Sequence, residues 1–309
     1  MSPAELLGDH TVRMVVVGTS LIGLLAGALG CFAYLRRQSL LSDVIAHSAL
    51  PGTLLAFLAA TALGIAGRSM PLLILGAVLV GTAAVQATHA IVAGSRIRVD
   101  AAMAIVLTSF FGAGLLLQRV ITDSALPGSG GIQDYLFGNA SVLTRADLLV
   151  SALVGAGALF VLVTLWRGFA LRTLDPSHAT VLGFPSRFLD PALFLTIVVG
   201  TVIGVKAVGL VLMVAFVVTP AAAARQWTRS LPGMVLLAGA IGGIGSAVGA
   251  LASITLEDVP TGPVIVLVLA ASLLVSLLAA PRRGLLARAG QRRRARQRAR
   301  ALLAEEAAR

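Results

Sequence analysis

The chain is poor in charge. Only 12% of its 309 residues are Asp, Glu, Lys or Arg, while 58% are hydrophobic and the mean hydropathy is +0.96. Soluble domains carry about 25% charged residues. A deficit of this size, spread over long apolar runs, excludes an ordinary soluble domain and predicts an all-α polytopic membrane protein. Cysteine is nearly absent. Cys31 alone excludes an internal disulfide, and its place in the first apolar run predicts a small core residue. There is no G-x-x-x-x-G-K-[ST] phosphate loop, so if ATP drives this protein another subunit hydrolyses it. No G-x-S-x-G surrounds Ser42 or Ser48, and no ordered Ser-His-acid set is visible, which disfavours an intramembrane hydrolase. A basic segment ahead of the first apolar run is also lacking. That run is long enough to span, so no signal peptide is expected.

A membrane helix needs about 20 apolar residues. Nine stretches qualify, roughly 12–35, 40–63, 70–94, 101–118, 147–166, 190–205, 207–224, 233–253 and 261–280. The sixth and seventh are short and divided only near Lys206. Arginines follow every odd stretch: Arg36 and Arg37, then Arg96 and Arg98, then Arg167, Arg172 and Arg187, then Arg225 and Arg229, then the tail. Short cytoplasmic loops carry the Lys/Arg excess. The pattern therefore predicts nine crossings in the cell membrane, with the N-terminus outside and the C-terminus in the cytoplasm. The formal charge of +11 sits mostly in residues 281–309, where ten Arg face Glu305 and Glu306 for a net +8. Residues 1–280 read as a transmembrane domain and 281–309 as a basic cytoplasmic tail. QRRRARQRAR (291–300) suits anionic inner-leaflet lipid. No aromatic residue or folded module accompanies it, so nucleic acid is not an expected partner. Glycine spacings such as Gly23-xxx-Gly27 and Gly245-xxx-Gly249 predict close helix packing.

The unusual stretch is SDVIAHSALPG, residues 42–52. Asp43 and His47 stand at i and i+4, on one helix face. A mid-membrane Asp costs roughly 2.5 to 3.5 kcal/mol on insertion scales, so such residues face a bundle interior or an aqueous path. Carboxylate and imidazole both ligate divalent transition metals. Pro51 removes the N–H that would bond the His47 carbonyl and should kink the helix there, exposing that oxygen. Gly52 allows close backbone approach. Two plainer roles remain open: Asp43 as a helix N-cap, and His47 as a hydrogen-bonding partner of a neighbouring helix. His89 could join the pair or simply pack. Asp100 reads as an N-cap or a partner for Arg96 or Arg98. In LDPSHATVLGFPSR (174–187), Asp175 suits an N-cap, Pro176 the first helical position and Gly183 the stop, so a short capped helix is expected. Thr219-Pro220 predicts a kinked helix within 207–224.

Taken in order, LRRQSLLSDVIAHSALPGTLLAFL (35–58), SRIRVDAAMAIVLTSFFGAGLLL (95–117), DYLFGNASVLTRADL (134–148), DPSHATVLGFPSR (175–187), AVGLVLMVAFVVTPAAAA (207–224) and VPTGPVIVLV (259–268) resemble the membrane subunit of the manganese/zinc/iron-type ABC importers. The resemblance covers about residues 12 to 280. It implies a fold similar to the vitamin-B12-type importer permeases, a pair of permease copies, a separate ABC ATPase and an extracellular metal-binding protein. It places Asp43 and His47 in the translocation path. It makes 175–187 the ATPase-coupling segment, with Asp175, Pro176, Leu182 and Gly183 as its marked residues. No permanently bound cofactor is implied, only a transported divalent metal ion. Ser42, Ala46 and Val99 depart from the family's glycine, serine and acidic residue. The first two alter local packing, and the third weakens any acidic-pair role for Asp100. A chelate or cofactor permease and an ATPase-independent secondary transporter are the alternatives. One carboxylate and one imidazole suit Mn²⁺, Fe²⁺ and Zn²⁺ alike, with manganese or zinc favoured.

Overall fold

The computed structural model describes residues 10–38, 40–64, 69–124, 144–256, 259–281 and 284. Eleven helices, and no strand, occur among the described residues: α1 (His10–Leu35), α2 (Leu41–Ala62), α3 (Met70–Gly94), α4 (Val99–Asp123), α5 (Arg145–Thr164), α6 (Trp166–Leu174), α7 (Pro176–Val181), α8 (Ser186–Val208), α9 (Leu210–Trp227), α10 (Leu231–Thr255) and α11 (Thr261–Ala279). Nine are long and match the nine apolar stretches. Eight of these are long and apolar enough to cross a membrane. The ninth, α9, has 18 residues, about 27 Å at 1.5 Å per residue.

Two boundaries differ from the sequence reading. Helix α8 starts at Ser186 rather than near 190, so Asp190 and Pro191 lie inside it. The break between α8 and α9 falls at Gly209, not at Lys206. Gly209 has φ 89°, and its N–H bonds the Val205 carbonyl at 2.7 Å. Glycine takes that left-handed backbone without the Cβ clash that penalises other residues.

Three helices form the interior. The spans α1, α2 and α8 are 72%, 67% and 67% buried, against 22%, 28% and 22% for α4, α5 and α11. The order is set by small residues at backbone contacts, because lipid tails give apolar helices no hydrophobic reason to associate. Helices α1 and α10 run antiparallel along one seam. A Cβ on Gly23 would collide with the Gly242 carbonyl, and one on Gly27 with the Ala238 carbonyl. One turn further, the Cys31 thiol reaches the Met234 carbonyl at 3.6 Å. Cys31 is fully buried, as its place in the sequence predicts. The second glycine pair packs elsewhere: Gly245 abuts Leu269 and Gly249 abuts Ile265, both on α11. At one end of α1, Phe32 meets the edges of Trp166 and Phe169 at 5.9 and 6.4 Å, which anchors α6 to the bundle.

The seam yields a test. In Gly242→Leu the new side chain meets backbone that cannot rotate away. Overpacking of this kind costs about 1–3 kcal/mol, so the purified protein should melt at a lower temperature. Gly157→Ala, inside α5 where a Cβ meets nothing within 4 Å, should melt no lower than the parent, since alanine is the better helix former. Equal melting of both variants would mean α1 and α10 do not touch there.

Candidate functional site

Helix α2 is capped by Leu40, which gives no side-chain hydrogen bond, and Asp43 lies in its first turn. Asp43 is therefore not the N-cap. Its carboxylate turns instead to the next turn of its own helix, where His47 Nε2 stands 3.2 Å from Asp43 Oδ1. If Nε2 carries the proton donated to Asp43, His47 Nδ1 is left as a lone-pair nitrogen. That atom is buried and has no hydrogen-bond partner. The side chains of Asp43 and His47 are 28% and 13% exposed. The imidazole packs edge-on to Phe111 of α4, centroid to centroid 4.6 Å. Its contact with a neighbouring helix is thus aromatic, while its hydrogen bond stays within α2.

Pro51 lies within α2, four residues after His47. The backbone around it is held close on two sides. Gly114 of α4 leaves room for Leu50 and the Pro51 ring, and Gly52 and Gly76 of α3 each allow the other's carbonyl to approach. The close approach expected at Gly52 is present. With α3 and α4 fixed in this way, the Asp43–His47 face lies beside α4, the thinly covered helix.

Among the described residues no group of three or more His, Cys, Asp or Glu side chains converges. The pair thus offers two ligand types from one helix, and His89 does not complete it. His89 instead packs on Phe194 of α8, ring centroids 4.7 Å apart. Asp100 sits in the first turn of α4, whose cap position is Arg98, so its expected N-cap role is not seen.

The short helix foreseen at 175–183 forms as α7. The Asp175 carboxylate accepts the His178 N–H at 2.9 Å, and Pro176 is the first helical residue. The chain leaves through Gly183 at φ 77°, with Phe184 N–H returning to the Ala179 carbonyl at 3.0 Å. Ala179 is buried beneath the helix, while Val181 and Leu182 are 83% and 56% exposed. Leu174 and Phe188 extend this apolar surface. Beside it lies a cleft of about 650 Å³ lined by Trp166, Phe184, Pro185 and Phe188.

An ionic cluster escaped the sequence reading. Asp190 accepts hydrogen bonds from Arg36 and Arg172. Its one advance sign was an acid at the edge of an apolar stretch. Residues 134–143 of the third quoted motif, and nearly all of the basic tail, lie outside the described residues.

Among the described residues, eight helices long and apolar enough to span a membrane, in a chain that matches a transport-family model over most of its length, make the class a membrane permease. The chain belongs to the ABC 3 transport family, whose model matches residues 9–280. It is 40% identical over 292 residues to the manganese transport system membrane protein MntC of Bacillus subtilis, covering 94% of this chain and 66% of that protein. It thus spans just under two thirds of that relative's length. It is 38% identical to the zinc transport system membrane protein TroC of Treponema pallidum, covering 94% of this chain and 96% of that one. Among solved structures it resembles PsaBC from Streptococcus pneumoniae in complex with Fab, with TM-score 0.80, 29% identity, and coverage of 91% and 98% of the two chains.

The cap of α7 can be tested directly. Asp175→Ala removes the acceptor for the His178 N–H, a loss worth about 0.5–2 kcal/mol at an N-cap. Amide hydrogen exchange at His178 and Ala179 should speed up several-fold while α8 keeps its protection. Unaltered exchange at both amides would show that the cap does not hold the helix.

Proposed function

We propose that this chain is the permease subunit of an ATP-driven importer of divalent transition metal ions, Mn²⁺ or Zn²⁺, and that Asp43 and His47 handle the cation in its path. The observation that carries this reading is the pair itself, an acid and an imidazole 3.2 Å apart on a membrane helix in a chain of this family. The names of the relatives, one a manganese and one a zinc transport protein, support the substrate class. Conduction requires a site weak enough to release its ion. Two ligand groups per copy, met by two more from a second copy, give a pathway site of that kind. Neither group selects between the two metals, since both accept carboxylate and imidazole.

The remaining parts follow from the same reading. A second permease copy lines the other side of the path. A separate ABC ATPase docks on α7 through Asp175, Pro176, Leu182, Gly183 and the exposed apolar residues beside them. An extracellular metal-binding protein delivers the ion. The N-terminus is outside and the arginine-rich residues 281–309 are in the cytoplasm, against anionic lipid.

The test is cellular metal content, measured by elemental analysis. Intact cells are compared with a deletion of this chain, and with the deletion complemented by wild type, Asp43→Ala or His47→Ala. Manganese or zinc should fall in the deletion and return with wild type. Each variant should restore at least about tenfold less uptake, the scale of loss seen when even outer-shell metal groups are removed. Both variants must still reach the membrane. Full uptake with either variant would remove that residue from the path. Unchanged Mn and Zn in the deletion, with redundant uptake excluded, would overturn the metal assignment.

A further inference from the structure

Arg36, Arg172 and Asp190 come from three separate places in the chain: just beyond α1, near the end of α6, and the second turn of α8. The Asp190 carboxylate is held from both sides. Arg36 Nη2 donates to Oδ1 at 2.8 Å, and Arg172 Nη2 donates to Oδ2. Arg172 Nε adds a 3.4 Å contact to Oδ1. The three side chains are only 14%, 12% and 24% exposed, in the order Arg36, Arg172, Asp190. Ion pairs at an exposed surface hold little geometry, but forked arginine–carboxylate contacts shielded from water fix both partners.

The connections of Arg172 and Arg36 give the cluster its direction. Arg172 Nη1 donates to the Pro176 carbonyl at 3.2 Å and to Thr180 Oγ1 at 3.4 Å. One guanidinium thus grips both turns of α7 and the acid of α8. Arg36 Nε donates to Thr173 Oγ1 on α6, and its guanidinium lies over the Phe194 ring of α8 at 5.3 Å. Beyond the cluster, Leu193, Ile197 and Val198 of α8 share one packed core with Phe32 of α1 and with Val44 and Ile45 of α2. Val44 and Ile45 lie between Asp43 and His47 in sequence. A close-packed core transmits displacement rather than absorbing it.

We propose that Asp190, clamped between Arg172 and Arg36, is the positioning residue that makes the docking helix α7 move as one body with α1 and α8. It thereby passes the ATPase's motion to the α2 pair. This rests on the proposed function for the identity of the docked partner and of the path. Without the clamp, α7 is one and a half turns of helix seated on Ala179, and its movement dissipates in its flanking turns.

The experiment uses the complete permease–ATPase complex in lipid nanodiscs and in vesicles. Nitroxide labels go on Ser177→Cys in α7, outside the apolar docking residues, and on Leu40→Cys in the turn between α1 and α2, both exposed, while the fully buried Cys31 stays unlabelled. In the otherwise wild-type complex the label separation should be the same without nucleotide and with a non-hydrolysable ATP analogue bound. In Asp190→Asn and in Arg172→Ala it should broaden and shift on ATP binding. Metal uptake per ATP hydrolysed should fall about tenfold, within the range of measured coupling factors. Asp190→Glu should recover part of both. Wild-type distances and uptake per ATP in Asp190→Asn would overturn the proposal. So would loss of the ATPase from Asp190→Asn and Asp190→Glu alike, because the cluster would then only maintain the docking surface. If the parent complex shows the rigid separation but carries neither Mn²⁺ nor Zn²⁺, the relay stands and the metal assignment falls.

Discussion

Backbone contact between α1 and α10 is the constraint on which the rest of the bundle depends. Inside hydrocarbon a leucine gains nothing by leaving lipid for protein, so helix association relies on dispersion and close fit. Gly23 against Gly242 and Gly27 beside Ala238 bring two main chains together. Their fit makes α1 the axis of the molecule. Gly30 then seats α9, whose Val217 carbonyl occupies the space a Cβ would fill. Helix α2 is placed against α3 by the facing Gly52 and Gly76. The position of Asp43 and His47 is therefore decided by residues that carry no chemistry of their own.

Charge inside such a bundle must be satisfied locally, and the protein does this in two ways. At Asp190 both carboxylate oxygens are taken by guanidinium groups, and the cluster is closed. At Asp43 the partner is a single imidazole, which engages one oxygen and leaves its own Nδ1 buried without a partner. A closed cluster holds helices in place. An open pair keeps ligand capacity in reserve. The same element type, a carboxylate with a basic partner, serves structure in one case and is available for chemistry in the other.

Much of this was legible in the sequence because its signals are local. The nine apolar stretches became nine long helices. The i, i+4 spacing placed Asp43 and His47 in contact. Asp175, Pro176 and Gly183 marked a helix end to end, because cap and stop residues act on backbone groups within a few positions. The Arg36–Asp190 pair was not legible, since its members lie 154 positions apart and no periodicity connects them. Asp190 read as the flank of an apolar run because the polar Ser186–Arg187 turn that begins α8 hid the helix start. The break at Gly209 was missed for a related reason. A positive φ leaves no hydropathy trace, whereas the nearby lysine does. His89 has the composition of a ligand, but only the packing of α3 on α8 assigns it to Phe194.

The location of the pair also bears on how tightly it could hold an ion. Asp43 lies in the first turn of α2, where unpaired N–H groups favour negative charge by about 0.3–1 kcal/mol. The hydrogen bond from His47 contributes about 1 kcal/mol more. The carboxylate is thus stabilised without any cation. For both groups to turn to an arriving ion, that internal hydrogen bond must break, and its loss offsets part of the binding energy. A resting state that satisfies itself weakens the site for every divalent ion equally, because the competing bond is the same whichever metal arrives. In the proposed path the pair therefore sets how briefly an ion stays, and discrimination between metals must be made before the ion reaches α2.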